Sequence, residues 1–210
     1  MFSMIHIDNR IYLASRSLRR RELLKQIGVN YKILLMRETL SRPVDIDETP
    51  LLNETPTDYV YRIVHTKAEE GWNRLMQRNL PLFPVLVADT VVTIDGCIFG
   101  KPASLTHAEE MLSTLSGRTH QVLTAIAIVI EENIQVRLST TSVRFREISQ
   151  QEIRACLTDG KLLDMAGAYA IQGVAAAFIV EISGSYSGVV GLPLFETSQL
   201  LEESGIKIFS

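Results

Sequence analysis

The 210-residue chain has little cysteine and no excess of positive charge. Its two cysteines, Cys97 and Cys156, show neither a paired spacing nor a neighbouring histidine cluster, which argues against a zinc or redox site. Lys and Arg number 21 against 24 Asp and Glu, and the net charge of −3 excludes an overall positive field for a nucleic-acid backbone or an anionic membrane. Any phosphate chemistry must therefore use local positive charge.

Long apolar stretches and common nucleotide-binding loops are missing as well. The apolar runs, such as 122–130, are far shorter than the ~20 residues of a membrane-spanning helix, and the first residues show no signal-type apolar block. We therefore expect a cytoplasmic protein. The chain also lacks the GxxxxGKS/T and GxGxxG patterns, which disfavours kinase-type and dinucleotide chemistry.

What remains is a globular composition, with 46% hydrophobic and 21% charged residues. The length fits one domain, residues 1–210, at about 150 residues per domain. Apolar strand patterns alternate with helical patterns, which predicts an α/β fold around one sheet. The predicted elements are strand 11–14, helix 18–27, helix 56–78, strands 85–94 and 97–99, a helix capped by Thr106, strands 122–130 and 136–145, a short helix capped by Ser149, strand 177–182 and a helix after Pro193.

The helix after the first strand begins with Ser15-Arg16-Ser17-Leu18-Arg19-Arg20-Arg21. A helix N-terminus is already positive, and each cation placed there costs about 0.3–1 kcal/mol. The arrangement is explained if an anion binds there, because free N–H groups, serine hydroxyls and guanidinium groups together form a phosphate site. The alternative is a solvated basic turn with Asp8 and Glu22 as counter-charges.

Two charged residues fall where the pattern predicts an apolar interior. Asp89 lies within the apolar strand 85–94, where a carboxylate needs a partner. A metal ion or an activated water would supply one, and hydrogen bonds from backbone N–H groups are the structural alternative. Lys67 falls on the apolar stripe of the long helix, where it needs an anion unless it extends along the surface. Lys101, on a Gly-Lys-Pro turn, is either a phosphate ligand or an ordinary surface lysine.

Two further signals concern a metal ion and a base. Asp45, Asp47 and Glu48 lie in the polar loop before the long helix, and with Asp89 they could hold a hard cation such as Mg²⁺, although loop acids are usually only solvated. Gln172 can both donate and accept, so its amide matches the N3–H and O4 edge of a pyrimidine, although such amides are commonly structural. Neither signal identifies a site by itself.

Taken together, the motifs resemble the Maf family of nucleoside triphosphate pyrophosphatases, house-cleaning enzymes once named septum-formation inhibitors. The resemblance spans nearly the whole chain and rests on ordered blocks, which are Leu13-Ala14-Ser15-x-Ser17-x-Arg19-Arg20, Ile46-Asp47-Glu48, Lys67-Ala68, Ala88-Asp89-Thr90, Gly100-Lys101-Pro102, Ala166-Gly167-Ala168-Tyr169-x-Ile171-Gln172-Gly173 and Val189-Val190-Gly191-Leu192-Pro193. It implies a bilobed α/β fold with a central mixed sheet, flanking helices and an active-site cleft between the lobes.

The resemblance also implies a reaction and a set of site residues. Family members hydrolyse a nucleoside triphosphate to the monophosphate and pyrophosphate with a divalent cation, Mg²⁺ or Mn²⁺. Arg19, Thr90 and Gln172 match the branch that acts on dTTP and UTP. The other implied residues are Asp89 as proton acceptor and five further active-site positions, Ser15, Arg20, Glu48, Lys67 and Lys101. Our own expectation is that Glu48 and Asp89 hold the cation, that Lys67 and Lys101 stabilise the transition state, and that Ser15, Arg19 and Arg20 bind phosphate oxygens. A homodimer fits the family, whereas nucleic acid and membrane are not expected partners.

Two other functions stay open at this stage. A non-catalytic, nucleotide-responsive interaction protein of the division septum would keep the phosphate site without needing Asp89. A 7-methyl-GTP pyrophosphatase, from another branch of the same family, would be distinguished at Gln172.

Met165 stands where the family usually has a lysine before Ala-Gly-Ala-Tyr, so one positive charge near the site is missing. We expect Met165→Lys to lower the KM for the triphosphate and to change kcat little, because an added cation strengthens phosphate binding. Steady-state kinetics of pyrophosphate release measures both constants. Unchanged KM and kcat would count against this expectation.

Overall fold

The computed structural model describes residues 10–36, 46–158 and 161–208. The helices and strands are β1 (Arg10–Leu13), α1 (Leu18–Gln26), β2 (Asn30–Ile33), α2 (Pro56–Gln77), β3 (Val85–Ile94), β4 (Cys97–Phe99), α3 (Leu105–Leu115), β5 (Thr119–Ile130), β6 (Asn133–Phe145), α4 (Gln150–Cys156), β7 (Ile179–Ser183), α5 (Tyr186–Val190) and α6 (Leu194–Glu203). Short 3₁₀ segments at Lys161–Asp164, Ala166–Ala168 and Val174–Phe178 precede β7. Within the described ranges no helix has the length and apolar character needed to cross a membrane.

In this part of the chain seven strands form one mixed sheet in the order β2-β1-β3-β5-β6-β7, with β4 paired to β3. β1 runs parallel to β2 and β3, whereas β3, β5, β6 and β7 pair in antiparallel fashion. Helices pack against both faces of the sheet. The α/β class and the central mixed sheet flanked by helices are therefore confirmed.

Along one of its two edges, β3 pairs with neighbouring strands only near its ends. β5 pairs with almost the whole length of the other edge. On the first edge, β1 reaches as far as Leu86, and β4 begins its pairing at Val92. Among the described residues no strand pairs with β3 between these points. We call this stretch the edge opening, and it contains Asp89 and Thr90.

The side chains at the edge opening lie on opposite faces of the sheet, because successive residues of a strand alternate. Odd-numbered residues of β3, such as Val87, pack with α2 in one apolar cluster. Even-numbered residues, such as Leu86, pack with α1 and α6 in another. Asp89 therefore faces α2, and Thr90 faces the side of α1 and α5.

The two helices that border the edge opening begin at residues well suited to their positions. The Ser17 hydroxyl accepts a hydrogen bond from a backbone N–H in the first turn of α1, and Gly28, with φ of +72°, follows its end. The Thr55 hydroxyl does the same for α2, whose first residue is Pro56. Both predicted helices therefore agree with the structure to within one residue at each end.

The structure corrects other sequence-based boundaries. Ser104 caps α3 by accepting from the His107 N–H, so Thr106 lies inside the helix and the predicted cap there is wrong. The strand predicted from residue 177 begins two residues later, because the chain completes a 3₁₀ segment at Phe178 first. β2 is an additional strand that the sequence analysis does not predict. The predicted capping box of Ser149 is confirmed.

A buried aromatic cluster packs the half of the sheet that lies beyond the edge opening. His120 contacts Phe145 and Tyr169 edge to face, with ring centroids 4.8 and 5.5 Å away. Its Nε2 atom lies 2.8 Å from the Tyr169 hydroxyl. Burial lowers the pKa of His120 to about 4 and raises the pKa of Tyr169. Both side chains are therefore neutral at pH 7.

Acid is expected to destabilise the fold through His120. In the unfolded chain the imidazole binds a proton near its ordinary pKa of 6.5, but in the folded chain only near 4. Between these values the unfolded state binds more protons, so a contribution that is complete above pH 6.5 is lost as the pH falls, by about 3 kcal/mol in all. Urea denaturation at pH 7 and pH 4.5 measures this loss, which should be larger for the wild type than for His120→Gln. Equal losses in the two proteins would contradict it.

Candidate active site

One half of the site lies between α2 and β3. Lys67 Nζ is 2.6 Å from Asp89 Oδ1 and 2.6 Å from Glu48 Oε1. The side chains of Lys67 and Asp89 are only 14% and 12% exposed, whereas that of Glu48 is 48% exposed. Lys67 thus points inward to two carboxylates, and Asp89 has the charged partner that a carboxylate in an apolar strand needs.

The charges in this half support one another. Burial acts to lower the pKa of Lys67, but Asp89 and Glu48 more than reverse this effect and hold the pKa above its usual value. Burial acts to raise the pKa of Glu48, but Lys67, with smaller effects from Lys101 and Arg20, holds it below its usual value. At neutral pH, Lys67 is therefore a cation and Glu48 is ionised.

Contacts at the start of α2 hold the loop that carries Glu48. The Tyr59 hydroxyl donates to the Glu48 carbonyl at 2.9 Å. Arg62 donates to both carboxylate oxygens of Glu54, at 2.6 and 2.7 Å, and to the Thr49 carbonyl at 3.1 Å. Because these contacts join both ends of the 48–54 segment to the first two turns of α2, Glu48 is kept within reach of the helix.

The other half of the site is centred on Arg20 of α1. Its Nε donates to the Gly191 carbonyl at 2.8 Å, and its two terminal nitrogens donate to the Ser15 and Thr90 hydroxyls at 3.4 and 3.3 Å. The Thr90 hydroxyl is also 3.0 Å from that of Thr124 on β5. The guanidinium is therefore held by acceptors in the β1–α1 turn, in β3 and in the residue that follows α5.

The two halves act on each other through the edge opening. Burial lowers the pKa of Arg20, Asp89 opposes this effect, and Arg20 in turn lowers the pKa of Glu48. Arg20 is thus within electrostatic range of both carboxylates. We call Glu48, Lys67, Asp89 and Arg20 the charged cluster. It places two carboxylates and two cations at the edge opening, where groups from the two faces of the sheet come close to each other.

Lys101 and Arg19 lie at the margin of this cluster. Lys101 is exposed on the turn after β4, and its charge contributes to the lowered pKa of Glu48. Arg19 is half-buried beside Arg20. Burial lowers the pKa of Arg19, while the charge of Asp164 raises it. Each cation is therefore within electrostatic range of one member of the charged cluster, Lys101 of Glu48 and Arg19 of Arg20.

Two other residues predicted from the sequence, Gln172 and Asp47, are less closely associated with the charged cluster. Gln172 is exposed on the turn that follows Ala166–Ala168, and within the described residues it makes no hydrogen bond to the charged cluster. The Asp47 carboxylate accepts from the Thr49 N–H at 2.9 Å and caps the local turn. Asp45 lies outside the described residues. The structure thus brings together the phosphate-binding and acidic candidates more closely than the base-reading one.

Two groups of this site are not predicted from the sequence. Thr124 is the one polar residue in the run 122–130, which is the same signal that distinguishes Asp89. The Gly191 carbonyl binds Arg20, and Gly191 has φ of +123°. A Cβ atom at Gly191 would also lie 3.6 Å from both Arg20 Nε and the Thr90 hydroxyl. Glycine allows this backbone conformation beside the guanidinium.

The acidic side chains suit a cation that arrives with a phosphate ligand. No set of three or more His, Cys, Asp or Glu side chains in the described ranges is arranged around a metal position. Glu48 and Asp89 nevertheless converge on the same ammonium group. Two carboxylates are enough for Mg²⁺ when substrate phosphates and waters supply its other ligands. The donor set therefore fits Mg²⁺ or Mn²⁺ bound together with a phosphate compound.

Residues 10–204 match the family model described as Maf-like protein. The dTTP/UTP pyrophosphatase of Nitrosomonas europaea is 67% identical, covering 96% of this chain and 97% of the relative. That of Nitrosospira multiformis is 58% identical, covering 98% and 100%. The solved structure of the Staphylococcus aureus Ham1 protein aligns at 18% identity and a TM-score of 0.44, covering 65% and 71%. Since the family match runs from β1 into the residue after α6 and includes the whole charged cluster, this chain belongs to the Maf family.

Proposed function

We propose that this protein hydrolyses dTTP and UTP to the monophosphate and pyrophosphate. The observation that carries the proposal is the placement of the Lys67 ammonium between Asp89 and Glu48, with Arg20 close by across the edge opening. This arrangement offers cations for phosphate oxygens beside an acceptor for the proton of water. Full-length relatives named dTTP/UTP pyrophosphatase support the same reaction.

The triphosphate binds at the start of α1 in this proposal. Arg20 has five N–H donors, and three of them are used by Gly191, Ser15 and Thr90. Two N–H groups are left for phosphate oxygens, on a guanidinium whose orientation is already fixed. Arg19 and the N–H groups at the start of the helix add further positive charge.

Asp89 acts as the proton acceptor for the attacking water. Its Oδ1 accepts from Lys67, and a carboxylate has acceptor positions to spare for a water molecule. The water oxygen forms a bond to the α-phosphorus in line with the bond that breaks, and its proton passes to Asp89. Pyrophosphate leaves with the bridging oxygen. Lys67, Lys101 and Arg20 stabilise the negative charge that grows on these oxygens.

Glu48 and Asp89 are the proposed ligands of the divalent cation. When bound, Mg²⁺ or Mn²⁺ neutralises negative charge that develops on the phosphates. Lys67 holds the two carboxylates together by bonding to one oxygen of each, which offsets their mutual repulsion. Lys67 therefore keeps both ligands on the same side of the edge opening.

Selection of the pyrimidine base is proposed for Gln172 together with Thr90. The exposed Gln172 amide is accessible to a ligand, and it can accept from N3–H and donate to O4 of thymine or uracil. Dimer formation and a cytoplasmic location stay predictions.

Pyrophosphate release from dTTP, UTP, CTP, GTP, ATP and 7-methyl-GTP with Mg²⁺ or Mn²⁺ tests the proposed function. We expect dTTP and UTP to be the best substrates, and Asp89→Asn to lower kcat for both by about 10²–10⁴-fold, as for loss of a general base. Asp95→Asn is the matched control, because Asp95 lies in the β3–β4 turn and pairs with Arg118 at 2.6 Å. This control should keep the wild-type kcat.

The other outcomes are equally informative. Turnover of none of these triphosphates would overturn the proposal and favour the nucleotide-responsive interaction protein. Preference for 7-methyl-GTP would assign the chain to the other branch of the family. A folded Asp89→Asn protein with unchanged kcat would exclude Asp89 as the proton acceptor.

A second variant tests the cation site. We expect Glu48→Gln to raise the Mg²⁺ concentration for half-maximal activity by about 10–100-fold, a loss seen when metal sites are weakened. Mg²⁺ titration of dTTP turnover measures this shift. Glu181→Gln is the control, since Glu181 pairs with Arg144 on the exposed surface of β7 at 3.0 Å. An unchanged Mg²⁺ requirement in Glu48→Gln would show that Glu48 does not hold the cation.

A further inference from the structure

Thr124 is a fully buried hydroxyl residue in β5, directly opposite Thr90 of β3. Its hydroxyl donates to the Thr90 hydroxyl at 3.0 Å and to the Gly188 carbonyl at 2.8 Å. The other residues of the run 122–130 are apolar. A buried polar group among apolar side chains needs hydrogen-bond partners. One of the partners of Thr124 is Thr90, which in turn accepts from Arg20.

The direction of these hydrogen bonds places Thr90 as an acceptor. A guanidinium can only donate, and a carbonyl can only accept, whereas a hydroxyl can do both. The Thr124 hydroxyl is the donor to the Thr90 hydroxyl and to the Gly188 carbonyl, so these two acceptors share its one proton. The Thr90 oxygen also accepts from Arg20. Thr124 therefore links Thr90, and through it the Arg20 guanidinium, to the Gly188 carbonyl.

The hydrogen bonds from Arg20 through Thr90 and Thr124 end at α5, next to the carbonyl that Arg20 also bonds directly. Gly188 accepts from Thr124, and Gly191, three residues later, accepts from Arg20 Nε. The α5 backbone is itself held, because the Ser185 hydroxyl accepts from the Gly188 N–H at 3.0 Å. Arg20 is thus tied by two routes to one short segment, directly at Nε and through two threonines at a terminal nitrogen.

We propose that Thr124 is a positioning residue that orients Arg20 through Thr90. The proposal rests on the function proposed above, in which Arg20 binds phosphate. Thr90 is the link in this arrangement, because its oxygen accepts from both Arg20 and Thr124.

Thr124→Val removes the hydroxyl and keeps the branched shape. We expect it to lower kcat/KM for dTTP by about tenfold, since losing one buried hydrogen bond is worth roughly 1 kcal/mol or a little more. Thr124→Ser keeps the hydroxyl and should restore most of the activity. Thr197→Val is the matched control, because Thr197 is equally buried and donates to the Pro193 carbonyl at 2.7 Å in α6.

A double-mutant cycle separates positioning from a general loss of stability. Arg20→Lys replaces the planar guanidinium, which bonds to Gly191 and Thr90 at the same time, with a single ammonium group. If Thr124 acts through Arg20, Thr124→Val should cause little further loss of kcat/KM in an Arg20→Lys protein. A loss as large as in the wild-type background would overturn the proposal. So would Thr124→Val with wild-type kinetics.

Binding of inorganic pyrophosphate, measured by titration calorimetry, gives a readout that does not depend on turnover. We expect the Kd to rise in Thr124→Val and to return in Thr124→Ser. If the wild type binds pyrophosphate but hydrolyses no triphosphate, the proposed function fails while this comparison still decides the role of Thr124. Equal Kd values in wild type and Thr124→Val, or no binding by the wild type, would overturn it.

If Thr124→Val does not fold, Thr124→Cys replaces it in each measurement. A thiol fills similar space but is a weak donor, so the same losses of kcat/KM and of pyrophosphate affinity are expected. Wild-type values in folded Thr124→Cys would overturn the proposal.

Discussion

The edge opening in β3 is the constraint on which the site depends. Asp89 and Thr90 are neighbours in the chain but face opposite sides of the sheet. In a fully paired strand, the sheet itself would separate the groups on its two faces. Because β1 ends at Leu13 and β4 begins pairing only at Val92, groups from α2 and from α1 can act on one ligand at the uncovered edge.

The buried charges of this site are costly to the fold, which favours a functional reason for their presence. Lys67 and Asp89 are both largely removed from water, and desolvation of such a pair can exceed its Coulombic attraction. The second carboxylate, Glu48, adds a bond to the same ammonium. Loss of Lys67 would leave the buried Asp89 carboxylate without the cation that is paired with it. Shifted pKa values such as those of Lys67 and Glu48 occur preferentially at functional sites.

The sequence predicts the parts of the fold that depend on local pattern. α1, α2 and β3 follow from caps and apolar periodicity, and Asp89 and Lys67 stand out because they interrupt that periodicity. β2 has only four residues, and its parallel pairing with β1 is a tertiary contact that no local signal specifies. The role of Thr124 depends on its register opposite Thr90 and on a carbonyl 64 residues away. Only the assembled sheet shows either relation.

The four charged groups differ in how firmly they are placed, and this difference has a consequence for ligand binding. Asp89 lies in a strand paired along its other edge, and Arg20 is fixed by three acceptors. Glu48 is half-exposed on a loop that Tyr59 and Arg62 fasten to α2 through its backbone and neighbours. Within residues 10–36, 46–158 and 161–208, its carboxylate pairs with Lys67 alone. The groups proposed to bind phosphate and to accept the proton are therefore already fixed by the fold, whereas the Glu48 side chain, the proposed second ligand of the cation, is the one left to adjust.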